Sequence, residues 1–200
     1  MIYGLALCVI VLGIQMALQG QHILLTIISL VVGSILGEAL GIEEKLEQVG
    51  TLLAEKFQKS RKKGDAGTDA FVEGFLNASL LYCVGAMAIV GSIQDGLSGD
   101  PTTLYTKALI DGLSGIIYAS NFGVGVLFSA LSVGVYQGIL TALAGFLGPW
   151  MSQLVVQEVA ACGGLMILGI GINMTKLLKI RVGNMLPGLL VAGVAAGIFF

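Results

Sequence analysis

The chain has 200 residues, of which 56% are apolar and 11% charged, and its mean hydropathy is +0.95. Soluble domains carry roughly a quarter charged residues, so this composition excludes a water-soluble globule. A net charge of −2 leaves no basic surface for nucleic acid. The three cysteines are scattered through apolar runs, which predicts neither a disulfide framework nor a metal site, and we expect no cofactor.

Seven apolar runs approach the roughly 20 residues that a helix needs to cross the hydrocarbon layer. Because lipid offers no partner to unpaired backbone groups, the predicted fold is an all-α transmembrane helix bundle of about seven spans. We treat 1–200 as a single integral membrane domain. In chain order, spans A to G cover residues 3–18, 23–40, 71–93, 104–120, 123–147, 156–174 and 182–200. The division of D from E is the weakest, so a broken or re-entrant helix remains an alternative there.

The positively charged loops predict the orientation of these spans. Short loops that are rich in lysine and arginine stay in the cytoplasm. The B–C loop and the F–G loop are of this kind, whereas the C–D and E–F loops contain no basic residue. The basic residues are Lys45, Lys56, Lys59, Arg61, Lys62 and Lys63 in the first loop, and Lys176, Lys179 and Arg181 in the second. Seven spans satisfy all four loops, with the N-terminus in the cytoplasm and the C-terminus outside.

Residues 41–70 differ from the rest of the chain and are predicted to form a cytoplasmic amphipathic helix followed by a basic loop. The apolar positions Ile42, Leu46, Val49, Leu53 and Phe57 recur at helical spacing, with acids near the start and bases near the end. This apolar stripe could rest on the bundle or on the lipid surface, or it could bind a specific partner. The basic run 59–63 would favour anionic headgroups.

An internal repeat links the two ends of the chain. Gly13-Ile14-Gln15-Met16 is echoed by Gly171-Ile172-Asn173-Met174, an offset of 171 − 13 = 158 residues, and a glycine pair in B is echoed in G at an offset of 160. Since A and F run in opposite directions in this topology, residues 1–40 and 156–200 are candidate inverted-repeat hairpins, as in many secondary transporters. Chance similarity between glycine-rich spans is the alternative.

Glycines four residues apart predict close helix packing and a surface for homo-oligomers, because small residues let helix backbones approach in lipid. The pattern occurs in three spans. It comprises Gly33, Gly37 and Gly41 in B, Gly134 and Gly138 in E, and Gly193 and Gly197 in G.

Polar residues within the spans predict a path for a solute or an ion, since ionisable groups are costly in lipid and usually line a cavity. Asp111 in span D is the strongest candidate, although Lys107 one turn earlier could make it a structural ion pair. The full set of candidate path residues is Asp111, Ser114, Tyr118, Asn77, Gln15 and Asn173. Ser114 and Tyr118 share the helical face of Asp111, whereas Gln15 and Asn173 could instead form hydrogen bonds between helices.

One motif suggests an enzyme. Gly112-Leu113-Ser114-Gly115 is similar to the Gly-x-Ser-Gly motif of rhomboid intramembrane serine proteases. A serine nucleophile needs a base. The single histidine, His22, precedes the serine, whereas rhomboids place theirs on a later helix. We therefore expect no enzymatic activity.

Three longer strings carry a family resemblance: residues 83–96, Asp111-Gly112-Leu113-Ser114, and Val182-Gly183-Asn184-Met185-Leu186-Pro187. With them, the chain resembles the YdfK/YqgA-like family of uncharacterised bacterial inner-membrane proteins. The resemblance implies a multi-pass protein of the cell inner membrane and brings no established activity. It also implies a further helix upstream of residue 3, so that the native repeat would contain three helices.

The leading hypothesis is a secondary transporter or permease that moves a small solute, a proton or a monovalent cation across the lipid bilayer. The alternative is a non-transporting membrane scaffold or regulator that acts through the amphipathic segment 41–70. The sequence identifies no substrate.

Overall fold

The computed structural model describes residues 2–57 and 66–199, and in these ranges the chain forms helices and turns without a strand. The helices are α1 (Ile2–Ala17), α2 (Ile23–Leu40), α3 (Ile42–Phe57), α4 (Ala66–Val84), α5 (Ala86–Ser98), α6 (Thr102–Phe122), α7 (Gly125–Ala142), α8 (Ala144–Leu147), α9 (Gln153–Met174) and α10 (Pro187–Phe199). Short 3₁₀ turns cover Gly148–Trp150 and Val182–Met185.

The described helices confirm an all-α membrane bundle. Four segments are long and apolar enough to cross a membrane, namely α2, α7, α9 and Val182–Phe199, and the bent pair of α4 and α5 would be a fifth. The helix α1 is apolar but shorter, and α6 is more polar. Many leucine, isoleucine and valine side chains on these helices face outward, as expected where the solvent is lipid. The number of seven spans stays a prediction.

Spans C and G differ from the prediction of continuous helices. Span C breaks at Gly85, whose extended backbone (φ −64°, ψ 141°) interrupts the helical hydrogen bonds and leaves a bend of 58° between α4 and α5. In span G, the 3₁₀ turn comes first and α10 begins at Pro187, since proline has no N–H to offer inside a helix. The predicted spans D and E are separate helices, and α6 ends where Gly123 adopts φ 75°.

Glycine contacts define the direction in which the helices pack. Helix α1 is antiparallel to α9, because Gly13 lies against Gly164 and Gly171 lies against Ala6. Helix α2 packs against α10 and the turn before it, with Gly33 against Gly188. A second group is formed by α4 to α7. Gly125 lies against Phe71 at the start of α4, and Gly96 of α5 lies against Thr141 of α7, so the pair α4–α5 runs parallel to α7.

The glycine patterns do not all have the same role. Gly33 and Gly37 pack as predicted, because a Cβ on either would collide with the backbone of Gly188 or Asn184. By contrast, a Cβ on Gly134 or Gly138 would meet no atom within 4 Å among the described residues. The first pattern therefore holds helices of this chain together, while the second leaves an open face on α7.

The loops of the two terminal hairpins lie toward opposite ends of α9. The α1–α2 loop lies beside the first half of α9, where its backbone binds Glu158 and Gly20 lies against Ala161. The segment 175–186 follows the end of α9 and packs against the junction of α2 and α3 through Asn184. From Ala161 to the end of α9 at Met174 is about 20 Å along the helix axis, so the two loops are separated by more than half of α9.

Helix α3 covers most of the predicted amphipathic segment, with Glu43 and Glu44 in its first turn and Lys56 in its last. It packs on α4, but its contact face is shifted from the predicted stripe. Gly50 and Ala54 are buried there, whereas Val49 is 46% exposed. A small residue at position 50 lets the backbone approach the ring of Phe75. The basic run 59–63 lies outside the described residues.

Candidate functional site

The polar face of α6 is centred on an ion pair between Lys107 and Asp111. The two side chains are four residues apart and so lie one above the other on the helix. Lys107 is only 5% exposed, and its ammonium lies 5.9 Å from the centre of the Tyr82 ring on α4. The aromatic face and the carboxylate together compensate for the loss of water around the buried ammonium.

Ser114 and Tyr118 continue this face and connect α6 to its neighbours. The Ser114 hydroxyl lies 3.2 Å from the Tyr82 hydroxyl and 3.1 Å from the carbonyl oxygen of Asp111. Tyr118 is buried, its ring meets Tyr82 edge-on at 6.3 Å, and its hydroxyl donates to the Met174 sulfur at 3.5 Å. The predicted face of α6 therefore turns towards α4 and α9.

A cavity of about 670 Å³ opens between α6 and α7 beside the ion pair. Its polar lining residues are Tyr82, Lys107, Asp111, Ser129 and Gln137, and the rest of its lining consists of glycine and apolar residues. The buried Nε2 atom of Gln137 has no hydrogen-bond partner in the part of the chain that the structure describes. The cavity thus holds one positive group, one negative group and one unused amide donor.

The other predicted path residues lie elsewhere. Asn77 and Asn173 line a second cavity of about 720 Å³ among α3, α4 and the segment after α9. The Asn173 amide is engaged there, since it donates to the Ile180 carbonyl oxygen and accepts from the Ile180 N–H, each at 2.7 Å. Gln15 lies on an exposed part of α1. The predicted residues of α6 therefore lie around Tyr82, the two asparagines line the second cavity, and Gln15 lies apart from both.

The second cavity is strongly charged. Its ionisable lining residues are Glu43, Glu47, Asp69, Glu73, Lys176 and Lys179. Burial raises the pKa of Glu43 above its ordinary value of 4.5, and the negative charge of Glu47 adds to this effect. The N–H of Gly183 and the positive charges of Lys179 and Arg181 act against it without cancelling it.

Residues 181–184 clamp the junction of α2 and α3. The Asn184 amide donates to Glu38 at 2.5 Å and accepts from the backbone N–H of Glu43 at 2.8 Å. In return, the Gly183 N–H donates to the Glu43 carboxylate at 2.9 Å, and Arg181 forms an ion pair with Glu38 at 2.9 Å. Position 183 lies close to α3, because a Cβ there would come within 3.2 Å of the Cα and Cβ atoms of Glu43.

Sequence reasoning missed Glu158 on α9. This glutamate is fully buried and accepts hydrogen bonds from the backbone N–H groups of Gln21 at 2.7 Å and His22 at 2.8 Å. The Thr26 hydroxyl lies 3.3 Å from its second oxygen. Glu158 is the one acid in the apolar run of α9, and that signal could have identified it. Tyr82 and Gln137 carry no comparable signal.

Within the described ranges, no three histidine, cysteine, aspartate or glutamate side chains are arranged so that they could hold a metal ion. The charged cavity near α3 brings acids and lysines together instead. The paired charges of Lys107 and Asp111 are therefore the main chemical feature of the cavity between α6 and α7.

Comparison with known proteins gives relatives over nearly the full chain. The chain is 31% identical over 186 residues to the uncharacterized membrane protein YdfK of Bacillus subtilis, covering 91% of this chain and 76% of YdfK. It is 26% identical over 191 residues to the uncharacterized protein YqgA of Escherichia coli, covering 96% and 80%. No solved structure matches.

A third relative carries a functional name. The chain is 32% identical over 104 residues to the "Putative manganese efflux pump MntP" of Syntrophotalea carbinolica, which covers 47% of this chain and 55% of that protein. The family model described as a protein of unknown function, DUF554, matches residues 1–196. This chain, a membrane protein, therefore belongs to the DUF554 family.

Proposed function

We propose that the chain is a secondary transporter or permease for a small solute or ion, and that the cavity between α6 and α7 is its solute site. The ion pair between the buried Lys107 and the partly exposed Asp111 carries this proposal. Charged groups within a membrane bundle are costly and usually mark a path for a substrate or an ion. Asp111 lies near the middle of α6, so a helix that crosses the bilayer would hold it near the midplane, where transporters bind their substrates.

The contacts between α1 and α9 support an inverted repeat as the basis of alternating access. A Cβ on Gly13 would come within 2.5 Å of the Leu168 nitrogen and 2.8 Å of the Gly164 oxygen. A Cβ on Gly171 would come within 3.0 Å of the Ile10 nitrogen and 3.2 Å of the Ala6 oxygen. The offset of 158 residues that relates Gly13 to Gly171 also relates Ile10 to Leu168 and Ala6 to Gly164.

The proposal includes seven spans in a bacterial inner membrane, with the N-terminus and α3 in the cytoplasm. In this topology the two basic segments lie on the same side of the membrane. In support, Lys176 and Lys179 line the same cavity as Glu43 and Glu47 of α3. The similarity of about half the chain to a protein named as an efflux pump also supports transport. Gly138 of α7 lies outside the lining of the cavity between α6 and α7, and its open surface suits contact with a second copy of the chain.

The test is flux in proteoliposomes that contain the full chain. The solute panel is a zwitterionic amino acid, a monocarboxylate, a primary amine, chloride, potassium and manganese(II). At least one solute should move in a saturable way, and Asp111→Asn and Lys107→Gln should reduce its flux. Lys45→Gln and Glu55→Gln, at exposed positions of α3, are the matched controls. If no solute moves, or if Asp111→Asn leaves every flux unchanged, the proposal fails.

A second candidate function is a membrane scaffold or regulator that acts through α3. The observation in its favour is that two apolar residues of α3 are left uncovered, since Leu52 is 65% and Val49 46% exposed. Deletion of residues 43–63 separates the two functions. Loss of a cellular phenotype with intact flux would favour the scaffold, and loss of flux in Asp111→Asn alone would favour transport.

The proposal also treats the chain as having no enzymatic activity. The Ser114 hydroxyl lies next to Tyr82 and its own helix backbone. Incubation with a fluorophosphonate probe should leave Ser114 unlabelled, and labelling that disappears in Ser114→Ala would favour the protease instead.

A further inference from the structure

The charge balance of the cavity between α6 and α7 limits what it can hold. Lys107 and Asp111 are the charged residues among its described lining, and they form a neutral pair. A lone cation or a lone anion bound beside this pair would leave a net charge in a cavity lined mainly by glycine and apolar residues. Burying an unpaired charge is expensive in such surroundings. A suitable solute therefore leaves the site neutral both when it is bound and when it is absent.

Resting on the transport function proposed above, we propose that the solute is a zwitterion with an ammonium and a carboxylate group, of the size and apolar character of a branched-chain α-amino acid. The solute carboxylate binds Lys107 and the solute ammonium binds Asp111. Lys107 and Asp111 then give up their contact with each other, and each binds the oppositely charged group of the solute. The net charge of the cavity therefore stays at zero.

The remaining lining fits such a solute. The unpartnered Nε2 of Gln137 can donate a hydrogen bond to a carboxylate oxygen of the solute. Leu104, Ile116 and Val133 provide an apolar surface for an aliphatic side chain. A volume of about 670 Å³ lies within the usual range of small-molecule sites and exceeds what one amino acid needs.

The same groups are unsuited to a metal ion. Magnesium, calcium and manganese prefer six or more oxygen ligands, and here a single carboxylate is already paired with an ammonium. An anion that enters together with a proton on Asp111 would also leave the site neutral. The experiment below separates that case from a zwitterion.

The experiment measures exchange of labelled L-leucine in proteoliposomes that contain the full chain. Unlabelled leucine in excess should compete fully. Two analogues of matched shape, 4-methylpentanoate without the ammonium and 3-methylbutylamine without the carboxylate, should compete at least about tenfold less well, because each lacks one charge-assisted pair. This comparison uses the native chain, so it does not depend on whether a variant folds.

Variants of the ion pair provide a second measurement. Lys107→Gln and Asp111→Asn should each reduce leucine exchange by roughly tenfold or more. Lys45→Gln and Glu55→Gln should leave it unchanged. The double variant Lys107→Asp/Asp111→Lys should recover part of the exchange, because a zwitterion can bind the reversed pair in the opposite orientation.

Three results would overturn the zwitterion and still leave the transport function standing. They are saturable movement of manganese(II) without leucine, movement of 4-methylpentanoate driven by a proton gradient without leucine, and leucine exchange that both analogues inhibit as well as leucine does. If none of the panel moves, the transport function and the zwitterion fail together.

Discussion

At the scale of single residues, Glu158 shows how one buried carboxylate can organise a helix start. The first turn of a helix leaves backbone N–H groups without partners inside the helix, and the dipole favours a negative charge there. Glu158 of α9 supplies that charge to the start of α2 through Gln21 and His22. A residue of the C-terminal hairpin thus stabilises the start of a helix in the N-terminal hairpin.

Glu158→Gln should therefore lower the free energy of unfolding by about 1–3 kcal/mol, because it removes the charge from two charge-assisted hydrogen bonds. Glu158→Ala should cost more, since it leaves those N–H groups without an acceptor. Unfolding by SDS in mixed micelles, followed by the fluorescence of Trp150, measures the effect. Glu55→Gln is the control, and an unfolding curve of Glu158→Gln that coincides with this control would contradict the role of Glu158.

The raised pKa of Glu43 predicts that its contribution to the stability of the fold falls as the pH rises, whereas the contribution of an ordinary salt-bridged acid increases. Burial raises its pKa above 4.5 in the folded chain, so the folded state holds this proton to a higher pH than the unfolded chain does. Stability from Glu43 is then fully present below the unfolded value and is lost as the pH rises through the folded value. The loss comes from the burial of the ionised carboxylate, and the Gly183 N–H, which favours the ionised form, opposes it only in part.

The comparison with Glu43→Gln measures this contribution. The glutamine can still accept from Gly183, but it cannot ionise. From about pH 4 to about pH 7, its stability relative to the native chain should rise. If the difference in stability between the two proteins stays constant across that range, or if the relative stability of Glu43→Gln falls, burial does not raise the pKa of Glu43 in the folded chain.

At the scale of helices, the glycines divide into those that allow backbone contact and those that leave space. A Cβ on Gly13 would lie 2.5 Å from the Leu168 nitrogen, whereas a Cβ on Gly134 would meet nothing within 4 Å among the described residues. Both are helical glycines in apolar spans, so their sequence context is alike. The difference arises only from which helix lies opposite.

Gly13→Ala should destabilise the chain by about 1–3 kcal/mol, because α1 and α9 must move apart to fit the methyl group. The matched variant Gly134→Ala should be neutral or stabilising by up to about 1 kcal/mol, because alanine favours the helix. Unfolding of both variants in the same micelles checks the difference. Equal effects would mean that α1 and α9 do not approach at Gly13.

At the scale of the whole molecule, the arrangement of the two terminal hairpins decides whether the chain can alternate between two faces of a membrane. The α1–α2 loop lies beside the first half of α9, and the segment 175–186 follows its end. We expect the same separation across a bilayer. If both segments shared one face, the inverted repeat and the transport function would lose their basis.

Single cysteines test this separation. In a background with Cys8, Cys83 and Cys162 replaced by alanine, Gln19→Cys should react with a membrane-impermeant maleimide in intact cells. Leu178→Cys should react only after the cells are opened. Lys45→Cys on α3 is the control for the second face and should behave like Leu178→Cys. Labelling of positions 19 and 178 from the same side would contradict the topology.

The sequence predicted much of the helical fold, because its signals are local. Apolar runs of suitable length located α2 at 23–40 and located α1, α6 and α9 to within three residues. The same reasoning made span C continuous, since a glycine in an apolar run does not by itself indicate a break. In the structure, Gly85 is extended and both α4 and α5 pack against α7, a contact between distant parts of the chain that one apolar run does not reveal.

By itself, the sequence determined that this is a membrane protein of helical class, and that Lys107 and Asp111 lie one turn apart on one helix. Composition and the spacing of residues along one helix suffice for these. Only the tertiary structure decided that the ring of Tyr82 lies beside this pair, that the Asn173 amide binds the backbone of Ile180, and that Glu158 accepts hydrogen bonds from the start of α2. Each of these contacts joins residues whose separation depends on packing or on a loop. The spacing of the sequence therefore carries no information about which of them meet.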